Sequence, residues 1–212
     1  MSPGKIELED LSCPFDLEST LSCGQAFRWE KIGDWWLGVV GETIVKVKQE
    51  GDELLFSSNL TGAGEIGFIE RYFRLDDDLP HILHELYKDE RIVGIIRKFY
   101  GLRILRQDPW ECLVSYICSR NTNIRKIRSV VTNISTFFGN PINLGGHVGY
   151  TFPEPGAIAE AKLSDLERCR FRFGRRQAGE IKEIAKRVNE GGLDLEGLRE
   201  MRRAVEQARI GL

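Results

Sequence analysis

The sequence predicts an α+β fold: an N-terminal domain built on an antiparallel β-sheet over residues 1–105, then an all-α domain over 106–212. Two observations carry this. Short aromatic and β-branched runs separated by Gly-containing turns fill residues 25–57. From residue 64 onward apolar residues recur at helical spacing. The length, 212 residues, is enough for two small domains that each bury a core.

The expected strands are 25–29, 35–40, 43–48 and 53–57. Gly41-Glu42 and Gly51-Asp52 supply the turns of an antiparallel meander. In the third strand Ile44 and Lys46 share one face and Val45 and Val47 the other. Lys46 and Lys48 suggest that one face of the sheet is wet. Helical spacing follows. Ile66, Ile69, Tyr72 and Phe73 mark one helix. Ile82, Leu83 and Leu86 mark a second, which begins after the capping run Asp76-Asp77-Asp78 and Pro80. Ile92, Ile95, Ile96 and Phe99 mark a third over 91–100, with Gly101 as its expected C-cap.

Asp108-Pro109 is an N-cap followed by proline at the first helical position, so a helix starts there and runs to about residue 118. A polar knot, Ser119-Arg120-Asn121-Thr122-Asn123, interrupts it. A second helix follows, with the stripe Ile124, Ile127, Val130, Val131, Ile134, Phe137 and Phe138, ended by Gly139. Residues 140–155 are rich in Gly and Pro and read as a loop. Short helices are expected at 155–161 and 163–168, then an aromatic and arginine turn over 169–176. A helix over 177–190 comes next, with one or two short helices over 195–208.

Composition is ordinary for a globular protein, 42% hydrophobic and 29% charged. No apolar run approaches the length of a membrane span, and the first residues lack the basic and apolar regions of a signal peptide. A soluble cytoplasmic protein is the default expectation, with no membrane partner. Five cysteines without a CxxC pair fit a reduced compartment and no structural zinc. His81, His84 and His147 lack ligand partners nearby in sequence, so no metal and no cofactor is expected. P-loop, dinucleotide and Ser/His/Asp signatures are absent as well.

Charge is unevenly placed. Residues 1–90 carry 8 Lys/Arg against 19 Asp/Glu, whereas residues 91–130 carry 9 against 2. A local basic segment fits a phosphate-facing surface, although a solvated helix face explains charge runs equally well.

Three segments are candidates for chemistry. In the polar knot, helix capping accounts for one or two residues. Asn121 and Asn123 also suit base edges or the gap left by a displaced base. The free N–H groups of the next helix, with Arg125 and Lys126 beside them, suit a phosphate. Arg170-Phe171-Arg172-Phe173-Gly174-Arg175-Arg176 interleaves aromatics with arginines, as a nucleic-acid backbone and a wedged base would require. One of its two phenylalanines is expected in the core instead. In Leu21-Ser22-Cys23-Gly24-Gln25-Ala26-Phe27-Arg28-Trp29, Gly24 precedes a strand where glycine admits a ligand close to the backbone. Cys23 has no evident activating base.

These segments, in this order, resemble the 8-oxoguanine DNA glycosylases of the helix-hairpin-helix superfamily, in the type with an N-terminal antiparallel-sheet domain. Residues 21–29 look like that family's Ser-Gly-Gln-Ser/Ala-Phe-Arg-Trp signature. Gln107-Asp108-Pro109-Trp110-Glu111-Cys112 followed by Ile117-Cys118-Ser119-Arg120-Asn121-Thr122-Asn123-Ile124 looks like its Gln-Asp-Pro…Glu-Cys…Ile-Cys-Ser-x-Asn-x-Asn-Ile. The resemblance implies a DNA-repair enzyme that flips 8-oxoguanine out of double-stranded DNA, removes it and cleaves at the abasic site.

It further implies substrate-binding residues Gly24, whose carbonyl would read the proton on N7 of 8-oxoguanine, and Asn121, beside the orphaned cytosine. The implied DNA-binding residues are Asn123, Arg125, Lys126, Phe173, Arg175 and Arg176, with Phe173 aligned to a wedging tyrosine. The family's catalytic lysine and aspartate belong to a Leu-Pro-Gly-Val-Gly-x-Lys hairpin and the segment after it, which these 212 residues do not contain. The helical domain is therefore expected to be incomplete at its C-terminal end. No catalytic residue is expected within these residues, which alone should be inactive and bind DNA weakly and salt-sensitively. Two readings remain beside this one: a non-catalytic DNA-binding module, and a glycosylase for alkylated bases. A small-molecule- or protein-binding α+β domain is a third, more distant one.

Overall fold

The computed structural model describes residues 3–9, 11–60, 64–195 and 197. The chain forms two compact units. The first runs to Gln107 and takes in Ile142–Gly149. The second holds Asp108–Pro141 and continues from Tyr150. The fold is α+β, as the sequence predicts.

The first unit is built on a five-stranded antiparallel sheet in the order β1-β5-β4-β3-β2: β1 (Gly4–Glu7), β2 (Trp29–Ile32), β3 (Trp35–Val40), β4 (Thr43–Glu50) and β5 (Glu53–Ser58). The three central strands coincide with the predicted meander. Three helices follow the sheet: α2 (Gly64–Phe73), α3 (Leu79–Leu86) and α4 (Val93–Lys98). β1 and the six-residue helix α1 (Leu17–Ser22) do not stand out in the sequence. α1 starts because the Asp16 carboxylate accepts the Ser19 N–H at 2.9 Å, which satisfies one of the free donors of its first turn.

One sheet face carries the core. Trp29, Trp36, Val45, Val47, Leu54 and Phe56 meet Phe15, Leu21, Ile69 and Phe73 there. Trp29 sets the packing of the edge. It pairs across the ladder with Gly38, and a methyl group at Gly38 would lie 2.4 Å from the indole. Its ring N–H donates to the Tyr72 hydroxyl at 2.8 Å.

Three expectations need correction. The segment 25–29 is not a strand over its length; pairing begins at Trp29, because the residues before it are committed to a loop described below. Gly101 is not the cap of α4: the helix closes at Phe99, whose N–H bonds the Ile95 carbonyl. The segment 140–155 is not all loop, since β6 (Pro141–Leu144) and β7 (His147–Tyr150) form a hairpin. Gly145 and Gly146 both have positive φ, 55° and 86°, as a two-residue turn matching strand twist requires. This hairpin covers part of the sheet's second face, which is therefore not fully wet. Gly149 packs so near Val39 that a methyl group there would sit 2.6 Å from it, and Ile44 is completely buried.

The second unit contains α5 (Pro109–Cys118), α6 (Ile124–Phe138), α7 (Pro155–Glu160), α8 (Leu163–Glu167) and α9 (Gly174–Asn189). α5 opens as predicted, with the Asp108 carboxylate accepting the Glu111 N–H at 2.9 Å and proline in the first turn. The α6 stripe buries Ile127, Val130, Val131 and Ile134. α9 begins three residues earlier than the sequence suggests and buries Ala178, Ile181 and Ala185. It packs against α5, α7 and α8. The short helices expected over 195–208 lie outside the described residues apart from Leu195 and Gly197.

Candidate nucleic-acid interface

Gly24 belongs to the first unit. It follows α1, has φ of 89° and is half-buried. The loop around it is held by the next side chain. The Gln25 amide nitrogen donates to the Thr20 carbonyl at 2.9 Å and the Arg103 carbonyl at 2.8 Å. Its oxygen accepts the Leu105 N–H at 2.8 Å. The Gln25 carbonyl accepts from the Gln107 side chain at 2.8 Å, and Thr20 Oγ1 accepts the Arg103 N–H at 3.1 Å. One glutamine thus does for this loop what a sheet ladder would do for a strand, fixing both the end of α1 and the segment 103–107. That is why residues 25–27 do not pair in the sheet.

Beneath this loop Arg103 is 4% exposed. Its Nη2 donates to the Cys13 carbonyl at 3.2 Å, while Nε and Nη1 have no hydrogen-bond partner among the described residues. Burial lowers its pKa from the usual guanidinium value. Cys23 is exposed, and its Sγ lies 3.4 Å from the Thr20 carbonyl.

The other predicted residues belong to the second unit. Asn121 is exposed, and its backbone is left-handed at φ 49°. Asparagine tolerates this region better than most residues, and such outliers concentrate at functional positions. Asn123 is the N-cap of α6: its side-chain oxygen accepts the Lys126 N–H at 2.9 Å. The capping reading is thus correct for Asn123. Arg125 is exposed and Lys126 half-buried, both within the first turn of α6, which carries no acidic residue.

The start of α9 repeats this arrangement. Phe173 precedes the helix at 43% exposure, whereas Phe171 is buried at 6%, so one ring is core and the other is offered to solvent. Arg175 and Arg176 occupy the first turn, again without a carboxylate. The first turns of α1, α2, α5 and α8 carry Glu18, Glu65, Glu111 and Asp165, the sign that the helix dipole favours, and those of α3, α4 and α7 carry no acid but no lysine or arginine either. Two cations at the positive end of a helix oppose it by about 0.3–1 kcal/mol each. Partial compensation comes from Glu167 to Arg175 at 3.3 Å and from Glu180 to Arg176 at 3.2 Å and to Arg120.

Two contacts, one of them fully buried, join these segments. Gln177, fully buried on α9, donates to the Ile117 carbonyl near the end of α5 at 2.7 Å and accepts the Phe173 N–H at 3.2 Å. Asn133 on α6 donates to the Cys169 carbonyl at 3.1 Å. The knot and the aromatic turn are therefore parts of one packed assembly. Gly24 stands in the other unit.

Burial pushes the Cys118 and Cys169 thiols up to about 12. Lys182 is engaged at the Ala161 carbonyl. Among the described residues no group of three His, Cys, Asp or Glu side chains is placed to hold a metal. No described helix is long and apolar enough to cross a membrane.

The first unit is an antiparallel sheet carrying the Gly24 loop, and the second presents an amide knot and a basic aromatic turn at helix starts. Residues 8–113 match the family model of the 8-oxoguanine DNA glycosylase N-terminal domain. The chain is 32% identical over 197 residues to an N-glycosylase/DNA lyase of Saccharomyces cerevisiae, covering 82% of this chain and 50% of that protein. Among solved structures it is similar to MBOgg1 in complex with a low-affinity DNA ligand. That likeness has 34% identity and a TM-score of 0.83, and covers 94% of this chain and 67% of the other. It is also similar to a Clostridium acetobutylicum 8-oxoguanine glycosylase/lyase bound to double-stranded DNA with cytosine opposite 8-oxoG. There the identity is 29% and the TM-score 0.81, with coverages of 94% and 67%. The chain belongs to the 8-oxoguanine DNA glycosylase family. It spans about half the length of the curated relatives it matches.

Proposed function

We propose that this chain acts in base-excision repair and recognises 8-oxoguanine in double-stranded DNA within the cell's cytoplasm. The observation that carries the reading is the pair of helix starts, α6 and α9, each with two cations and no carboxylate in its first turn. That arrangement lowers the stability of the free protein and becomes favourable when phosphate sits at the helix ends. Four side chains, Arg125, Lys126, Arg175 and Arg176, are the proposed phosphate contacts.

Asn121 is the proposed occupant of the space left when the lesion leaves the stack, beside the orphaned cytosine. Its left-handed backbone and exposure support this role. Phe173 is the proposed wedge, supported by its exposure beside a buried partner, Phe171. The Asn123 side chain caps α6, so its proposed DNA contact is through the helix start that it organises. Gly24 is the proposed reader of the lesion. A carbonyl accepts the proton that 8-oxoguanine carries on N7, and repels the lone pair that guanine has there. The network around Gln25 supports this by fixing the loop in place.

Bond cleavage in this proposal needs a lysine nucleophile and an aspartate on a segment that residues 1–212 do not include. Those residues supply recognition. Borohydride trapping on an 8-oxoguanine duplex tests the division: no covalent adduct is expected with these residues alone, and an adduct would show that a lysine among them is the nucleophile.

A further inference from the structure

We propose that Gln177 is a positioning residue, which locks the Asn121 knot and the Phe173 turn into one rigid unit so that gap filling and wedging occur together. This rests on the roles proposed above for Asn121 and Phe173.

Gln177 is fully buried in a helix whose other inward residues, Ala178, Ile181 and Ala185, are apolar. A leucine of similar volume would serve packing alone, without the cost of desolvating an amide. The amide is instead divided between two targets. Its nitrogen meets the Ile117 carbonyl, one of the last four of α5 and so without a partner inside that helix. Two residues later the knot begins. Its oxygen meets the N–H of Phe173, the residue before α9, whose own side chain does not cap the helix.

The same carbonyl accepts from Arg120 Nε at 3.3 Å, so knot and glutamine converge on one atom. Near the surface, Glu180 on α9 holds the Arg120 guanidinium. Helix α9 thus grips the end of α5 at two heights. On the other side of the aromatic turn, Asn133 holds the Cys169 carbonyl. Both bonds of a buried amide must be kept or broken together with its geometry, which makes it a stiff link between the elements it joins.

The test uses Gln177→Met, which keeps the length and removes both bonds, and Gln177→Glu. Without DNA, amide NMR spectra of Q177M are expected to shift the Asn121 and Phe173 resonances together, with exchange of the Phe173 N–H about tenfold faster. Unchanged Asn121 resonances would overturn the proposal. With a duplex carrying 2-aminopurine beside 8-oxoguanine, the fluorescence rise per bound complex should fall by about threefold or more in Q177M, because unstacking is no longer held. A rise equal to the parent's would also overturn it.

Q177E lacks the donor while ionised and regains it when protonated. Acidification should therefore restore its signal, with the carboxyl titrating above its usual range because it is buried. If Q177M loses its cooperative melt, this recovery decides the matter, and its absence counts against the link. Should the parent itself give no fluorescence rise, the roles of Asn121 and Phe173 fall, while the spectra without DNA still decide whether Gln177 joins the two segments.

Discussion

Arg125→Glu should make the protein more stable and a worse DNA binder. Arg125 is exposed in the first turn of α6, where the helix offers N–H groups without carbonyl partners and no carboxylate balances them. The cation there opposes the helix dipole by about 0.3–1 kcal/mol, and a carboxylate gains a similar amount. Reversal is therefore worth about 1 kcal/mol at low ionic strength, which for a chain of this size raises the melting temperature by about 2–4 °C. Duplex binding moves the other way. Loss of one phosphate contact lowers the slope of log affinity against log salt by about 0.9. The assay is a thermal melt at low and high salt beside a duplex titration over a salt series. If Arg125→Glu lowers the melting temperature, or leaves duplex affinity unchanged at low salt, the phosphate reading of this helix start is wrong.

Other consequences follow from the same structure. Gln25→Ala leaves the Leu105 N–H and the Thr20 and Arg103 carbonyls without their side-chain partner. It should cost roughly 2–4 kcal/mol in denaturant unfolding, and a cost below about 0.5 kcal/mol would show that the loop is held by something else. Phe171→Ala and Phe173→Ala should separate core from wedge. The first should lose about 3–5 kcal/mol of stability because its ring is buried. The second should lose little stability but should weaken base unstacking; equal destabilisation would contradict the assignment. Hydrogen bonding from Arg120, then the charges of Arg120 and Arg176, holds the Glu180 carboxyl below its usual range. A depressed carboxyl contributes stability above its unfolded pKa, about 4.3, and loses it as pH falls through the lower folded value. The contribution should be under about 1 kcal/mol, because the pairs are partly exposed and screened by salt. Comparing Glu180→Gln with the parent from pH 7 down to about pH 3 checks this, and a difference that grows on acidification would be the wrong sign.

Two of the site's helices, α5 and α6, were readable because their ends are written in side chains, whereas the start of α9 was not, since Phe173 makes no side-chain cap. Asp108-Pro109 marks the start of α5, the knot its stop, and Asn123 the start of α6, each through one cap that depends on neighbours in sequence. β1 and α1 were not, since four and six residues are too short to show a period. The β6–β7 hairpin was hidden for the same reason. Its Gly145-Gly146 turn is visible, but its strands are four residues each and depend on the sheet beneath them. Gln25 sits inside a motif, yet its task is set by residues about 80 positions away. Gln177, between Arg176 and Ala178, carries no local signal of its role, and only tertiary packing makes it the buried link at the Ile117 carbonyl.

Recognition of the lesion by these residues is tested most directly by their affinity for two duplexes that differ only at one base, 8-oxoguanine or guanine opposite cytosine, over a salt series. Tighter binding to the 8-oxoguanine duplex is expected, with affinity for both falling steeply as salt rises, and with the preference lost in Gln25→Ala. Equal affinity for the two duplexes at every salt concentration would contradict the account.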